Sequence, residues 1–327
     1  MLVILHHSKN GIIMSSIKQI MYSARKKNKE VILCSSYIAK NELDFCKSIN
    51  IKYLKKINFG RDFGALKNVY LYLRNSDQLQ KIDRLIVLNT SMVSLDKVSV
   101  DDRWFQFLEN QQEDFVGITD SLAENYHIQT YHFSLSNYFL NSNEFKNFIL
   151  NFNERSKSKR YVIKNGELKL SKVAQKYNFS MKTFFKCTEL NKLNYLNKFS
   201  EFIIFLEKLF PNQPTWKEDL DFFVKSSVLL KSAFYNPSHY RWQELILEGY
   251  PFLKRELLES NPIGRDIFPY LIPLSQFLEN DIDNSDIIEI ASELLSNRGF
   301  IFKTKKIITF IKYIIKFKIF ANPYDSI

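Results

Sequence analysis

The group Asn58-Phe-Gly60-Arg61-Asp62-Phe-Gly64 follows a short apolar run and precedes a helical pattern. Two glycines there permit a positive φ or close backbone approach to a ligand. A helix start offers unsatisfied N–H groups and the positive end of the dipole, which suits a phosphate or diphosphate. Arg61 adds a fork of donors, and Asp62 can accept from a ribose or base, or cap the helix. A second group, Asn89-Thr90-Ser91, ends the apolar run Leu85–Leu88. Ligands of open α/β sheets bind at such strand ends, although Asn and Ser are also ordinary turn residues. A third group joins Gly117-Ile-Thr-Asp120 to Tyr126-His127-Ile-Gln129-Thr-Tyr131. Asp120 and His127 are acid–base or ligand candidates; a loop carboxylate and a hydrogen-bonded strand histidine are the plainer alternatives. Glu167 precedes a helical stretch, where it can act as base or complement the dipole. Further on, His239, Lys254 and Arg255 can reach an anionic ligand or pack on the surface, and Trp242 reads as a core residue. His6 and His7 are adjacent on a strand, point to opposite faces, and make a poor pair for one metal ion.

The elements that must position these residues are legible as alternating patterns. Short buried runs at 2–5, 30–34, 51–57 and 85–88 read as parallel strands. Helical spacing separates them at 11–25, at 38–48 and after Phe63. This β-α-β-α-β-α-β order predicts an α/β fold, Rossmann-type, with a mostly parallel sheet covered on both faces. Two further strands are expected at 114–118 and 126–134, and helices at 144–152 and 169–177. The stretch 190–233 reads as mainly helical, and two terminal helices are expected at 283–296 and 303–320. The turn after the first strand, His6-His7-Ser8-Lys9-Asn10-Gly11, carries no GxGxxG, and no GxxxxGK[ST] occurs, so the simplest dinucleotide and P-loop readings fall away.

In this order the groups resemble the rhamnan-synthesis protein F family. The likeness rests on Asn58-x-Gly60-x-Asp62-Phe-Gly-Ala65, Leu88-Asn-x-Ser91, Gly117-Ile-Thr-Asp120, His127-x-Gln-x-Tyr131 and Glu167-x-x-Leu-Ser171. It resumes in Asn236-Pro-x-His239, Trp242 and Gly249-x-Pro-Phe-x-Lys254-x-Glu-Leu-Leu258, and spans roughly residues 1–270. The resemblance implies a GT-A-like glycosyltransferase over residues 1–275, with a basic helical tail over 276–327. It implies a dTDP- or UDP-sugar donor, plausibly of L-rhamnose, and a lipid-linked glycan acceptor. Asn58, Gly60, Arg61, Asp62, Asn89, Ser91, His239, Lys254 and Arg255 would then face the donor. His127, Gln129 and Trp242 would face the acceptor. Glu167 would be the base of an inverting transfer, with Asp120 as second choice. A transferase for another sugar with a retaining mechanism, and a non-catalytic scaffold of an assembly complex, are the alternatives. Where the family commonly has Asn-Asp-Ser, this chain has Thr90 in the middle. Threonine is a poor Mg²⁺ or Mn²⁺ ligand beside a carboxylate, which weakens the metal expectation.

Composition bounds the rest. The 327 residues are 45% apolar and 15% aromatic, enough for a large core. Three cysteines without CxxC spacing give neither a disulfide framework nor a zinc ribbon. The net charge is 46 − 35 = +11, and seven Lys/Arg with no acid lie between Arg298 and Lys318. Without them the chain carries 39 − 35 = +4, so nucleic acid is not an expected partner. The isoleucines and phenylalanines of 298–320 alternate with lysines as in a helix lying on an anionic leaflet. A peripheral protein of the cytoplasmic membrane face is the expectation. Vesicles containing anionic lipid should pellet the full chain, and removal of residues 298–327 should abolish the pelleting.

Overall fold

Runs of valine, isoleucine and leucine that are buried on both faces become the central strands. In the computed structural model, which describes residues 1–56, 59–186, 193–209 and 236–260 and positions 267, 271, 274, 277, 285 and 286, these are β1 (Leu2–His6), β2 (Val31–Ser35) and β4 (Arg84–Asn89), with β3 (Lys52–Lys55) at the edge. The sheet is completed by β6 (Phe115–Ser121), β7 (His127–Ile128), β8 (His132–Ser136) and β9 (Met181–Phe185). Strand order is β3-β2-β1-β4-β8-β6, with β9 parallel to β6 and β7 antiparallel to the last two residues of β6. β8 runs against both its neighbours, so the sheet is mostly parallel, as the alternating pattern predicts.

Alternation along the strands divides the core in two. Leu2, Ile4, Leu33, Ile86 and Leu88 pack on one face, against α1 (Ser15–Lys26) among others. Val3, Leu5, Ile32, Leu85 and Val87 pack on the other, against α3 (Arg61–Asn75) among others. Helix α1 forms because Ile17, Ile20, Met21 and Ala24 recur at helical spacing and are all buried. Helix α2 (Lys40–Ser48) follows β2, and α4 (Arg103–Asn110) brings Trp104 and Phe105 into the first core. The remaining helices used below are α5 (Asn137–Asn141), α6 (Asn143–Leu150), α7 (Lys159–Val162), α8 (Leu168–Lys176) and α9 (Leu193–Leu209).

Three features depart from the expected pattern. The strand expected at 126–134 is broken: β7 and β8 are separate, and residues 129–131 between them belong to neither. There Gln129 N donates to Thr119 O at 2.9 Å, while Tyr131 O accepts from Asn89 N at 2.8 Å. A second sheet also forms, from β5 (Met92–Ser94) and β10 (Phe252–Lys254), whose three-residue lengths are too short to announce themselves by periodicity. Finally, α4 and β9 form where neither element is expected; in α4, Trp104, Phe105 and Leu108 recur at helical spacing and are buried. The terminal helix expected at 283–296, apart from positions 285 and 286, the one expected at 303–320, and all of the basic segment 298–320 lie outside the described residues, as does all of 210–235.

One contact ties the C-terminal stretch to the body. The N-terminus of α1 has no side-chain cap of its own and no acid in its first turn. The carboxylate of Asp286, buried at 2% exposure and beyond the boundary expected at 275, takes that place. It accepts from Ser16 N at 3.0 Å, from Ser16 Oγ, and from Ser94 N at 3.2 Å. An anion at a helix start is favoured, and three buried donors would otherwise lose their acceptor. Asp286→Ala should therefore cost about 1–3 kcal/mol in denaturant unfolding. Asp286→Asn, which keeps one acceptor oxygen, should cost less.

Candidate active site

The sheet order reverses between β1 and β4, because β1 leads outward to β2 and β3 before the chain returns to β4. A crevice opens there at the carboxyl ends of the strands. Its floor is stitched by Thr90 N donating to Leu5 O at 3.3 Å and by His7 N donating to Thr90 Oγ1 at 3.0 Å. Beside it α3 begins. Gly60 has φ 70°, and a Cβ on it would lie 2.6 Å from Glu154 O, so this turn needs glycine. Its N–H donates to Ser156 O at 3.0 Å, seating the loop before α7 on the start of α3.

Asp62, in the first turn of α3, reaches across to β4. Its Oδ2 accepts from Asn89 Nδ2 at 2.9 Å. Asn89 Oδ1 in turn accepts from Ser91 N at 3.1 Å and from Ser91 Oγ. Burial raises the proton affinity of the Asp62 carboxyl, and Lys56, Asn89 and Arg61 oppose that only in part.

Glu167 closes the opposite wall. Residues Ile163–Glu167 form a single π-turn between α7 and α8. Such turns interrupt a helix and commonly mark functional sites. The turn lies flat on α3 because Gly166 has no side chain: a Cβ there would be 2.4 Å from the Phe63 ring. Glu167 Oε2 accepts from both Thr130 N and Thr130 Oγ1 at 2.9 Å, and Oε1 lies 3.4 Å from His127 Nε2. The other His127 nitrogen, Nδ1, is 2.8 Å from Asn125 O, which fixes a proton on it. For Glu167, burial favours the neutral acid, yet His127, Lys254 and the Thr130 N–H outweigh it and hold the carboxyl below its ordinary range. For His127, burial opposes the charge, and Glu167 overcomes it and raises the imidazole. The two form a mostly buried ion pair.

The cleft receives its cation from far along the chain. β10 pairs antiparallel with β5, setting Lys254 opposite Met92, and Arg255 N donates to Ser91 O at 2.9 Å. The Lys254 ammonium stands 5.7 Å from the Tyr131 ring centroid. Burial lowers its proton affinity, while Glu167, Glu256 and Asp62 raise it. A second lysine, Lys56, is 9% exposed, just beyond β3. Burial lowers its proton affinity too, and Asp62 opposes that.

The structure thus brings together Gly60, Arg61, Asp62, Asn89, Ser91, Glu167, Lys254 and Arg255; Asn58 lies outside the described residues. Arg255 spends its Nε on Glu259 Oε1 at 2.6 Å. Other candidates need correcting. Burial, with Lys254 adding to it, pushes the His239 imidazole down to about 4, so near neutral pH it is not one of the cations. The three residues expected to face an acceptor are interior. Trp242 is 0% exposed within the first core, and Gln129 spends its amide on Thr119 Oγ1 at 2.7 Å and Asn236 Oδ1 at 2.9 Å. His127 has both nitrogens engaged, as above. Asp120 is buried where β6 meets β7, opposite Ile128. Lys56 and Thr130 were not singled out from the sequence. Lys56 lies two residues before the Asn58–Gly64 group, at a strand end where ligands bind, and that position was the available signal.

The residues near the β4 turn do not suit a divalent cation. Hard cations require several free oxygens, preferably carboxylates. Here Thr90 Oγ1 accepts from His7 N, Asn89 Oδ1 is taken by Ser91, and Asp62 Oδ2 is taken by Asn89. Among the described residues no group of three or more His, Cys, Asp or Glu converges as a metal site.

The fold is that of a mostly parallel α/β protein with charged side chains gathered at its topological switch. The model of the family described as rhamnan synthesis protein F matches residues 31–211, more than half of the chain, and the chain belongs to that family. Membership places it in polysaccharide biosynthesis. The virulence protein VirA of Vibrio anguillarum (strain ATCC 68554 / 775) is 28% identical over 232 residues, 68% of this chain and 67% of that protein. A second V. anguillarum protein of the same name matches equally. Among solved structures, a cytidylyltransferase from Leptospira borgpetersenii serovar Hardjo-bovis (strain JB197) aligns at TM-score 0.31 and 10% identity, over 56% of this chain and 73% of that one. The family model stops before β10, so the segment that delivers Lys254 lies beyond the matched region.

The ion pair makes stability depend on pH in a defined window. Glu167 is depressed from 4.5, so its contribution is complete above that value and is lost as pH falls through the folded-state value. His127 is raised from 6.5, so its contribution is complete below that value and is lost as pH rises through the folded-state value. The stability difference between wild type and Glu167→Gln should peak between these two ordinary values and shrink on either side. Urea unfolding across the acid-to-neutral range measures it.

Proposed function

We propose that the chain is a nucleotide-sugar-dependent glycosyltransferase of GT-A type acting in polysaccharide assembly. The observation that carries this reading is the meeting of Asp62, Asn89, Glu167 and Lys254 around one cleft at the strand ends. The donor, a dTDP- or UDP-sugar and in the family's name a rhamnose, lies over β1 and β4 with its diphosphate toward Arg61 and Lys254. The acceptor is a lipid-linked glycan, and the basic segment 298–320 rests on an anionic cytoplasmic membrane face. Among the described residues no helix is long and apolar enough to cross a membrane.

In the transfer, an acceptor hydroxyl attacks the anomeric carbon as the bond to the diphosphate oxygen breaks. The leaving group takes the bonding electron pair, and its growing charge is met by the cationic side of the cleft. Glu167 takes the hydroxyl proton. Its Oε2 is spent on Thr130, whereas Oε1 has only the long contact to His127, so Oε1 is the accepting atom. The low proton affinity of Glu167 keeps it ionised at neutral pH, ready to accept. The same environment makes it a weak base, so orientation rather than basicity carries the step.

The second reading, a sugar-binding scaffold, draws on Thr90, which removes the central carboxylate of the Asn-Asp-Ser turn. Donor-dependent release of UDP or dTDP in the presence of a lipid-linked acceptor separates the two, because a scaffold releases none. Glu167→Gln should lower turnover by about 10²-fold or more while donor binding is preserved. Undiminished turnover would remove Glu167 as base.

A further inference from the structure

We propose that Lys56 and Lys254 form a metal-free seat for a diphosphate, the two ammonium groups taking the place of a divalent cation at this cleft. The inference deepens the transferase reading and rests on it for the identity of the ligand, not for the geometry of the seat.

Both lysines hold unspent hydrogen-bonding capacity, Lys56 in a buried place and Lys254 in a half-buried one. An ammonium has three N–H donors and no acceptor. Lys254 donates no hydrogen bond to any described residue; its ammonium has the Tyr131 face and the charges of Glu167, Glu256 and Asp62. Lys56, nine-tenths buried, has only two long contacts, to Phe59 O at 3.4 Å and Arg61 O at 3.3 Å. Charge-assisted bonds to phosphate oxygens are stronger than the contacts either ammonium makes in the chain. The two lysines share a neighbour: each interacts electrostatically with Asp62. Asp62 in turn is fastened to Asn89 of the β4 turn, so the seat lies over that turn.

The oxygens of that turn point to the same conclusion from the other side. A cation held against two phosphates needs acceptors from the protein, and Asn89 Oδ1, Thr90 Oγ1 and Asp62 Oδ2 are each engaged by an N–H group of the chain. What the cleft offers an anion is therefore donors. The nearby arginines differ from the lysines. Arg61 is exposed and Arg255 is drawn to Glu259. The neutral His239 adds no charge.

Calorimetric titration of the full chain with inorganic pyrophosphate, UDP and dTDP, each in EDTA and in Mn²⁺, tests the seat. Binding of all three should persist in EDTA. Lys254→Gln and Lys56→Gln should each weaken it by about tenfold, the loss expected for one charge-assisted hydrogen-bonding partner. Lys254→Arg, which keeps the charge and separates loss of charge from loss of fold, should stay within about threefold of wild type. Binding that appears only with Mn²⁺, or Lys254→Gln binding as wild type does, would overturn the proposal. Metal-free, lysine-dependent binding without sugar transfer would uphold the seat and overturn the transferase reading. Transfer that requires Mn²⁺ would do the reverse.

Discussion

The cleft depends on a strand pairing of three residues. Phe252, Leu253 and Lys254 lie antiparallel to Ser94, Val93 and Met92, and without that register the ammonium of Lys254 would not meet Glu167 and Asp62. The pairing is held by apolar burial on both strands: Met92, Val93, Phe252 and Leu253 are each at most 1% exposed, and Phe252 packs edge-on against Trp104 at 5.1 Å. The core thus sets the position of a charge that the core itself cannot tolerate. The chain resolves this by placing the lysine at the strand's last position, where the apolar layer gives way to carboxylates.

The broken strand between β7 and β8 is the second half of the same construction. An unbroken strand through 126–134 would direct Thr130 and Tyr131 alternately into the two faces of the sheet. The break turns the Thr130 N–H and hydroxyl onto Glu167, and places the Tyr131 ring beneath Lys254. Gln129 is structural as well. Its N–H donates to Thr119 O, and its side chain stitches Thr119 to Asn236 and so ties β6 to the segment that leads to β10.

The parallel half of the sheet was legible because β1, β2 and β4 are continuous buried runs separated by helical spacing, and their carboxyl ends mark the site. Asp62, Asn89 and Glu167 were legible as polar residues at strand and helix ends. The roles given to His127, Gln129 and Trp242 were not, since a side chain's direction is set by tertiary contacts. A histidine two residues from a glutamine on an alternating strand reads the same whether it faces a ligand or, as here, a buried glutamate. β10 escaped notice because three residues carry no period. Lys56 escaped because a lysine beside other basic residues reads as a solvated surface charge, and only the fold buries it.

Charge accounting around the cleft explains why its groups are tuned against one another. Lys56, Arg61 and Lys254, with His127 whose imidazole Glu167 biases toward the charged form, face Asp62 and Glu167, with Glu256 at the edge. Each buried charge there survives because an opposite one is near. On the transferase reading proposed above, a diphosphate would compete with Asp62 and Glu167 for the same ammonium groups. Glu167 would keep His127 but lose part of its other counter-charge, and its affinity for a proton would rise. Such a coupling is electrostatic and needs only the sharing of one lysine between two anions.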